Sequence, residues 1–278
     1  MKIIFLGGDL RQKYASDYLV KSGYDSKAYM DFDVREIENE IRESKIIALP
    51  ITLFGESLYL KMCDKNILID DIIKITDLGS VILGGKFTNQ IKDKYEQSRV
   101  FVDYLDIEPL QIQNALLSAE GAIYYAKQKL EKSIYGSNIA IFGCGRIGKI
   151  LAYLLRSQGA IVTVIARCDV NLAWSKLLGL DTLKIAAKNM LMIKKYDVIF
   201  NTIPYRIMDK EFAISLDPDT LIIDLASFPY GIDDKLVAEY NLKYYKELGI
   251  PGRYAPVSAG EIIAKTIINN ILTREGLI

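Results

Sequence analysis

The segment 138–167 limits what this chain can fold into more than any other part of it. An apolar run, Ile139-Ala140-Ile141-Phe142, leads into Gly143-Cys144-Gly145-Arg146-Ile147-Gly148. Ile147, Ile150, Leu151, Leu154 and Leu155 then recur at helical spacing until Gln158-Gly159-Ala160, and a second apolar run covers 161–166. Strand, glycine turn, helix and strand in that order make one βαβ unit. Gly143 permits the tight turn, Gly145 lets the backbone approach a diphosphate, and Gly148 lets the helix pack closely on the sheet. The diphosphate would rest on the N–H groups that open the helix, at Arg146 and Ile147. A dinucleotide is therefore expected here.

The residues after the second strand bear on which dinucleotide. An acid there would accept both ribose hydroxyls of NAD, but the chain has Ala166-Arg167-Cys168. A guanidinium pairs with a 2′-phosphate and stacks on adenine, which favours NADP. NAD stays open as the alternative, with Asp169 making the ribose contact.

The 278 residues, half of them apolar, suit two domains better than one. Net charge is zero with both signs interspersed, so nothing points to nucleic acid or a membrane surface. No apolar run reaches the ~18 residues of a spanning helix, and Met1-Lys2 enters a strand without a signal-peptide layout, so a cytoplasmic protein is expected. Cys63, Cys144 and Cys168 show neither metal-ligand nor disulfide spacing. Histidine is absent, which excludes imidazole bases and His-ligated metals and leaves proton transfer to Asp, Glu, Lys, Tyr, Arg or water.

Ahead of the nucleotide unit, strands are predicted at 2–6, 27–30, 46–49, 81–83 and 100–102, with helices from Leu10 and near 34–43, 70–76 and 89–97. Alternation at this pitch predicts a parallel doubly wound sheet with ligand loops at the carboxyl ends of its strands. Gly7-Gly8-Asp9, Pro50 and Gly84-Gly85-Lys86 fall at such ends. Gly7-Gly8-Asp9 with Arg11 reads as a loop lining a substrate cleft or as a plain turn capped by Asp9. The stretch 53–66, with Glu56, yields no assignment.

A long helix is predicted over 111–133, between the two α/β halves. Within it Ser118 and Glu120 are polar among apolar neighbours; Glu120 is a candidate base if it faces the cleft, and otherwise a solvated glutamate. After Arg167, helices are predicted at 170–178 and about 185–193, and a strand at 197–200 ending in Asn201-Thr202-Ile203-Pro204, where backbone and amide groups commonly line a cofactor. The apolar run 221–227 contains Asp224, either a paired structural carboxylate or part of the site. Ser258 reads as the N-cap of the last helix, and with Arg253 could hold a carboxylate. The fold class is thus α/β: two Rossmann-like doubly wound domains joined by a long helix. Residues 1–110 form a substrate or catalytic domain and 111–278 the NAD(P) domain with its connecting helix, the C-terminal helix at about 258–278 being able to pack back on the first.

Taken together these pieces resemble the dipicolinate synthase A-subunit family. The resemblance is carried by Leu6-Gly7-Gly8-Asp9 with Arg11, Ser118-Ala119-Glu120-Gly121, the glycine turn, Asn201-Thr202-Ile203-Pro204, Asp224-Leu225-Ala226-Ser227, and Gly249-Ile250-Pro251-Gly252 through Ser258-Ala259-Gly260. They span nearly the whole chain. Two departures stand out: Ser227-Phe228-Pro229-Tyr230-Gly231 replaces an expected Ser-Arg-Pro-Gly-Gly, and Leu117 an expected proline. If the missing arginine holds a substrate carboxylate in the family, Arg253, Arg206, Lys86 or Arg11 has to serve here.

The resemblance implies an oxidoreductase acting on a CH–CH group. It would carry out NADP-linked oxidation of dihydrodipicolinate, or of its hydroxylated tetrahydro precursor, to dipicolinate during sporulation. The setting implied is the mother-cell cytoplasm, as an oligomer whose partner is the flavoprotein-like B subunit of dipicolinate synthase. Glu120, Asp224 and Arg11 are then the catalytic candidates, and Arg11, Ser118, Arg253, Ser258 and Lys86 the candidates for a small dicarboxylate. The rival readings are another two-domain oxidoreductase of the alanine or shikimate dehydrogenase kind, and a non-catalytic NADP-binding regulatory subunit.

Overall fold

The structure, a computed structural model, describes residues 1–53, 58–61, 64–186 and 195–273. The chain divides into two compact units: Met1–Asn114 with Pro251–Ile278, and Ala115–Ile250. The readings of Glu56 and Cys63 lie outside the described residues, as does most of the predicted helix at 185–193.

The first unit holds a five-stranded parallel sheet. Its strands are β1 (Lys2–Leu6), β2 (Asp25–Tyr29), β3 (Ile46–Ala48), β6 (Ser80–Gly84) and β7 (Arg99–Asp103), in the order β2-β1-β3-β6-β7. Two short strands, β4 (Tyr59–Lys61) and β5 (Asn66–Leu68), pair antiparallel in and just beyond the stretch for which the sequence pattern yields no assignment. Side chains alternate across the sheet. Ile4, Leu6, Ile47 and Ile82 pack on one face with Ile69, Ile72 and Ile73 of the helix Ile69–Ile75. Ile3, Phe5, Ile46 and Leu83 pack on the other with Leu19 of the helix Leu10–Lys21 and Ile263 and Ile267 from the chain's end. Both faces are buried, which is why these strands read as unbroken apolar runs.

The helix Pro256–Thr266 lies against Leu10–Lys21 through Gly260, where a Cβ would come within 2.7 Å of the Ala15 nitrogen and 2.8 Å of the Arg11 carbonyl oxygen. This helix starts two residues earlier than the sequence suggests. Pro256 takes a first-turn position, where its missing N–H costs nothing, and Ala255 is the cap, so the N-cap reading of Ser258 is corrected. Ser258 is an exposed residue within the first turn.

The second unit is a six-stranded parallel sheet: β8 (Asn138–Phe142), β9 (Ile161–Ala166), β10 (Asp181–Lys184), β11 (Val198–Asn201), β12 (Leu221–Asp224) and β13 (Lys243–Lys246). The order β10-β9-β8-β11-β12-β13 reverses direction between β8 and β11, the switch point at which such sheets take ligands. Ala140, Phe142, Ile165, Ile199 and Ile222 form its core with Met208, Phe212 and Ile232, and the Phe142 and Phe212 rings meet edge to face at 5.8 Å. β10 and β13 are not foreseen from the sequence, nor are the short helices Lys210–Ser215 and Asp234–Glu239. The long helix runs over Glu108–Lys129, rather than 111–133.

Candidate functional site

At the carboxyl end of β8 the three glycines are held by different things. Gly143 has φ +103°, and a Cβ on it would sit 2.2 Å from Thr202 Oγ1. A Cβ on Gly148 would sit 2.2 Å from the carbonyl oxygen of Gly143. Those two glycines are demanded by the turn itself. Gly145 is not: its φ is −78° and a Cβ there would meet nothing within 4 Å. The side of the turn at Gly145 is therefore open to a ligand, which is what a diphosphate needs. The helix Arg146–Ser157 begins there with no side-chain cap and no acid in its first turn, so its leading N–H groups and positive dipole end suit an anion. Cys144 turns away from this side, its Sγ 3.6 Å from Ser175 Oγ.

The turn is braced from β11. Thr202 donates from its hydroxyl to the Phe142 carbonyl at 2.9 Å, and Asn201, wholly buried, accepts from the Ile203 N–H at 3.1 Å and donates to Asp224 at 2.9 Å. Asp224 is also wholly buried and accepts from Ala226 N (3.0 Å), Gly231 N (2.7 Å) and Tyr244 Oη (2.6 Å). With four donors on its two oxygens it has the surroundings of a paired carboxylate, the first of the two alternatives the sequence offers. Its partners keep Tyr244 protonated, since burial and the adjacent carboxylate both push the phenol well above its ordinary range.

Where β9, β10 and β11 end, a cavity of about 520 Å³ opens, lined by Arg167, Ile203, Pro204, Tyr205, Arg206 and Asp209 among others. Asp169, the alternative ribose ligand, pairs instead with Lys184 at 2.9 Å and does not line this cavity.

In the first unit the loops after β1 and β3 enclose a cavity of about 240 Å³ lined by Gly8, Asp9, Arg11, Pro50, Thr52 and Lys61 with Leu60. Asp9 caps the helix Leu10–Lys21 by accepting from Arg11 N, and also takes the Arg11 guanidinium: Nε at 2.8 and 3.0 Å, Nη2 at 2.7 Å. Burial raises the Asp9 carboxyl's pKa, but the Arg11 guanidinium and N–H outweigh it and leave the group below its ordinary value. Arg11 is thus half of a fork-to-fork pair with Asp9. Gly252 packs on that pair, since a Cβ there would fall 2.4 Å from Asp9 Oδ2 and 3.0 Å from Arg11 Nε, and this brings the backbone at Arg253 alongside. Thr52 and Lys61 carry no sequence signal because they lie in or beside the unassigned stretch.

Lys86 is exposed, follows β6 with φ +58°, and does not line this cavity. Ser118 is buried and Glu120 half-buried on the long helix. Phe228, where the family resemblance suggests an arginine, is three-quarters exposed with its ring edge-on to Tyr230 at 5.8 Å. Among the described residues no group of three or more Cys, Asp or Glu is placed to hold a metal ion, and no helix is long and apolar enough to cross a membrane.

No general family profile matches the chain. It is 30% identical to the A subunit of dipicolinate synthase from Bacillus subtilis strain 168, over 96% of this chain and 94% of that protein. The solved structures of the same subunit from B. subtilis and B. halodurans superpose with TM-scores of 0.83 and 0.82. Each is 27% identical and the match covers at least 96% of both chains. D-lactate and D-2-hydroxyisocaproate dehydrogenases share the fold at 13% identity, with TM-scores of 0.66 and 0.61. Matched in sequence and in fold along nearly its whole length, the chain belongs to the dipicolinate synthase A-subunit family.

Proposed function

We propose that this chain is the dehydrogenase subunit of a dipicolinate synthase, oxidising dihydrodipicolinate or its hydroxylated tetrahydro precursor with NADP. It would work in the mother-cell cytoplasm of a sporulating bacterium, as an oligomer and with a flavoprotein-like B subunit. The observation that carries the reading is the turn at β8, sterically closed at Gly143 and Gly148 and open at Gly145, in a chain of this family.

When bound, the nicotinamide supplies a hydride acceptor, and formation of an aromatic ring supplies much of the driving force. The protein's part is to bind, orient and exclude. The N–H groups at Arg146 and Ile147 seat the diphosphate, the Asn201–Thr202–Ile203–Pro204 segment fixes the wall beside it, and Arg167 takes the 2′-phosphate. The Asp9–Arg11 pair leaves Arg11 Nη1 to meet a ring carboxylate, with Lys61 and Thr52 on the same cavity. Arg253, Ser118 and Lys86 are the further candidates for the second carboxylate, and Ser258 the weakest, since it does not cap its helix. Glu120 is the candidate proton acceptor.

The test is to purify the chain and follow NADPH absorbance with dihydrodipicolinate, with and without the B subunit. Turnover by the chain alone supports the reading. Turnover only when the two proteins are mixed assigns the chemistry to the complex. Nucleotide binding without turnover in either case would overturn the catalytic role in favour of a regulatory one.

A further inference from the structure

The cavity at the ends of β9, β10 and β11 carries a second guanidinium that the cofactor reading has not used. We infer that Arg206 is the second arm of a clamp for the 2′-phosphate of the dinucleotide, closing on it together with Arg167; this rests on the NADP reading above. Both side chains line the same 520 Å³ space, and they come from loops on either side of the β8 turn, one after β9 and one after β11.

Arg206 is built into position. The loop that carries it is pinned by Ile207 N and Met208 N, which donate to the Gly231 carbonyl at 3.0 and 2.9 Å, and Met208 bridges to Ile232. Its guanidinium pairs through Nη1 with Asp233 Oδ2. Asp233 is itself fixed, because its other oxygen accepts from Lys235 N at 3.0 Å as the cap of the helix Asp234–Glu239. A guanidinium held through one amino group by a fixed carboxylate keeps its remaining N–H groups oriented for a second anion, with little entropy left to lose.

The acids nearby have contacts of their own. Asp169 is drawn off by Lys184, and Asp209, the carboxylate that lines the cavity, accepts from Phe212 N at 3.0 Å as the cap of Lys210–Ser215. Two guanidiniums facing an unphosphorylated ribose gain nothing comparable. The preference for a 2′-phosphate therefore needs both arms, and a chain that keeps Arg167 alone discriminates less.

The experiment is isothermal titration of wild type, Arg167→Ala, Arg206→Ala, Arg206→Lys and the double alanine variant with NADPH and with NADH, each protein checked for an unchanged melting temperature. Arg206→Ala should weaken NADPH at least about tenfold, the scale of one lost charge-assisted hydrogen bond, and NADH less than about twofold, since no charged contact to it is removed. Arg206→Lys should recover part of the loss, because the charge stays while the fork geometry goes. If wild type prefers NADPH and Arg206→Ala leaves the NADPH-to-NADH ratio unmoved, or weakens both equally, the second arm is refuted while the NADP reading stands. If wild type shows no preference for NADPH, the cofactor reading falls and the clamp with it.

Discussion

Replacing the three turn glycines by alanine one at a time separates structure from binding at the β8 turn. In Gly143→Ala the backbone must keep φ +103°, a region costing roughly 1–2 kcal/mol for a residue with a Cβ. The methyl would also stand 2.2 Å from Thr202 Oγ1, which is tied to the Phe142 carbonyl at 2.9 Å and has nowhere near to go. Adding about 1–3 kcal/mol for overpacking gives an expected loss of roughly 2–5 kcal/mol. Gly148→Ala gains about 1 kcal/mol of helix propensity but drives its methyl to 2.2 Å from the Gly143 carbonyl oxygen, a backbone atom, at about 1–3 kcal/mol, and should lose roughly 0–2 kcal/mol net. Gly145→Ala meets nothing within 4 Å at an ordinary φ, so the entropy lost by the unfolded chain offsets the poorer N-cap that alanine makes, and stability should stay within about 1 kcal/mol of wild type.

Nucleotide affinity should run in a different order. Gly145→Ala puts its methyl where the diphosphate must come, and losing one charge-assisted hydrogen bond to it should weaken binding by about tenfold or more. Urea unfolding and titration with NADPH on the same three proteins check both halves. A Gly145→Ala variant that is fully stable and binds nucleotide like wild type would refute the placing of the diphosphate here. One destabilised like Gly143→Ala would refute the steric argument.

Asp224→Ala leaves four buried donors without an acceptor and should lose about 3–5 kcal/mol of stability, whereas Tyr244→Phe removes one donor of the four and should lose about 1–2 kcal/mol, both measured by urea unfolding. Equal small losses would show that the four hydrogen bonds do not act as one network. The Asp9 carboxyl is held below its ordinary value by Arg11 against the effect of burial. The stability it adds is therefore complete above the unfolded pKa of about 3.9 and is lost as pH falls through the lower folded value. Acid titration of the melting temperature should accordingly be steeper for wild type than for Asp9→Asn below about pH 4. Ser258→Ala should change stability by less than about 0.5 kcal/mol, because an exposed helical serine that is not the cap gives up little.

The central strands are legible because parallel strands buried on both faces are written as apolar runs. Ile3 to Leu6, Ile46 to Ala48 and Ile139 to Phe142 need no partner to be recognised. β10 and β13 are not legible for the complementary reason. They are the two edges of their sheet, Asp181–Lys184 and Lys243–Lys246, half exposed and flanked by charges, as edge strands tend to be. The cavity wall at Thr52 and Lys61 stays hidden because Thr52 lies in a loop and Lys61 in a three-residue strand with too few alternations to show a period. Asp224 shows a different limit: an acid in an apolar run announces that something must satisfy it, but only the fold shows that Asn201, Tyr244 and two backbone N–H groups do so.

That network also decides how the turn should be understood. The position of Thr202 against Gly143 depends on Asn201, whose amide is shared between Ile203 and Asp224; Asp224 in turn is held by Tyr244 on the edge strand β13. A buried carboxylate with four donors is costly to rearrange, so the wall of the nucleotide turn is fixed from its far side rather than by the glycines themselves. The glycines remove obstacles and the network sets the distance. An alteration at Tyr244 should therefore be felt as weaker nucleotide binding as well as lower stability. Tyr244 touches Asp224 and not the turn, so a loss of affinity in Tyr244→Phe under conditions where the protein is fully folded would demonstrate the brace, and an unchanged affinity would confine the network to stability.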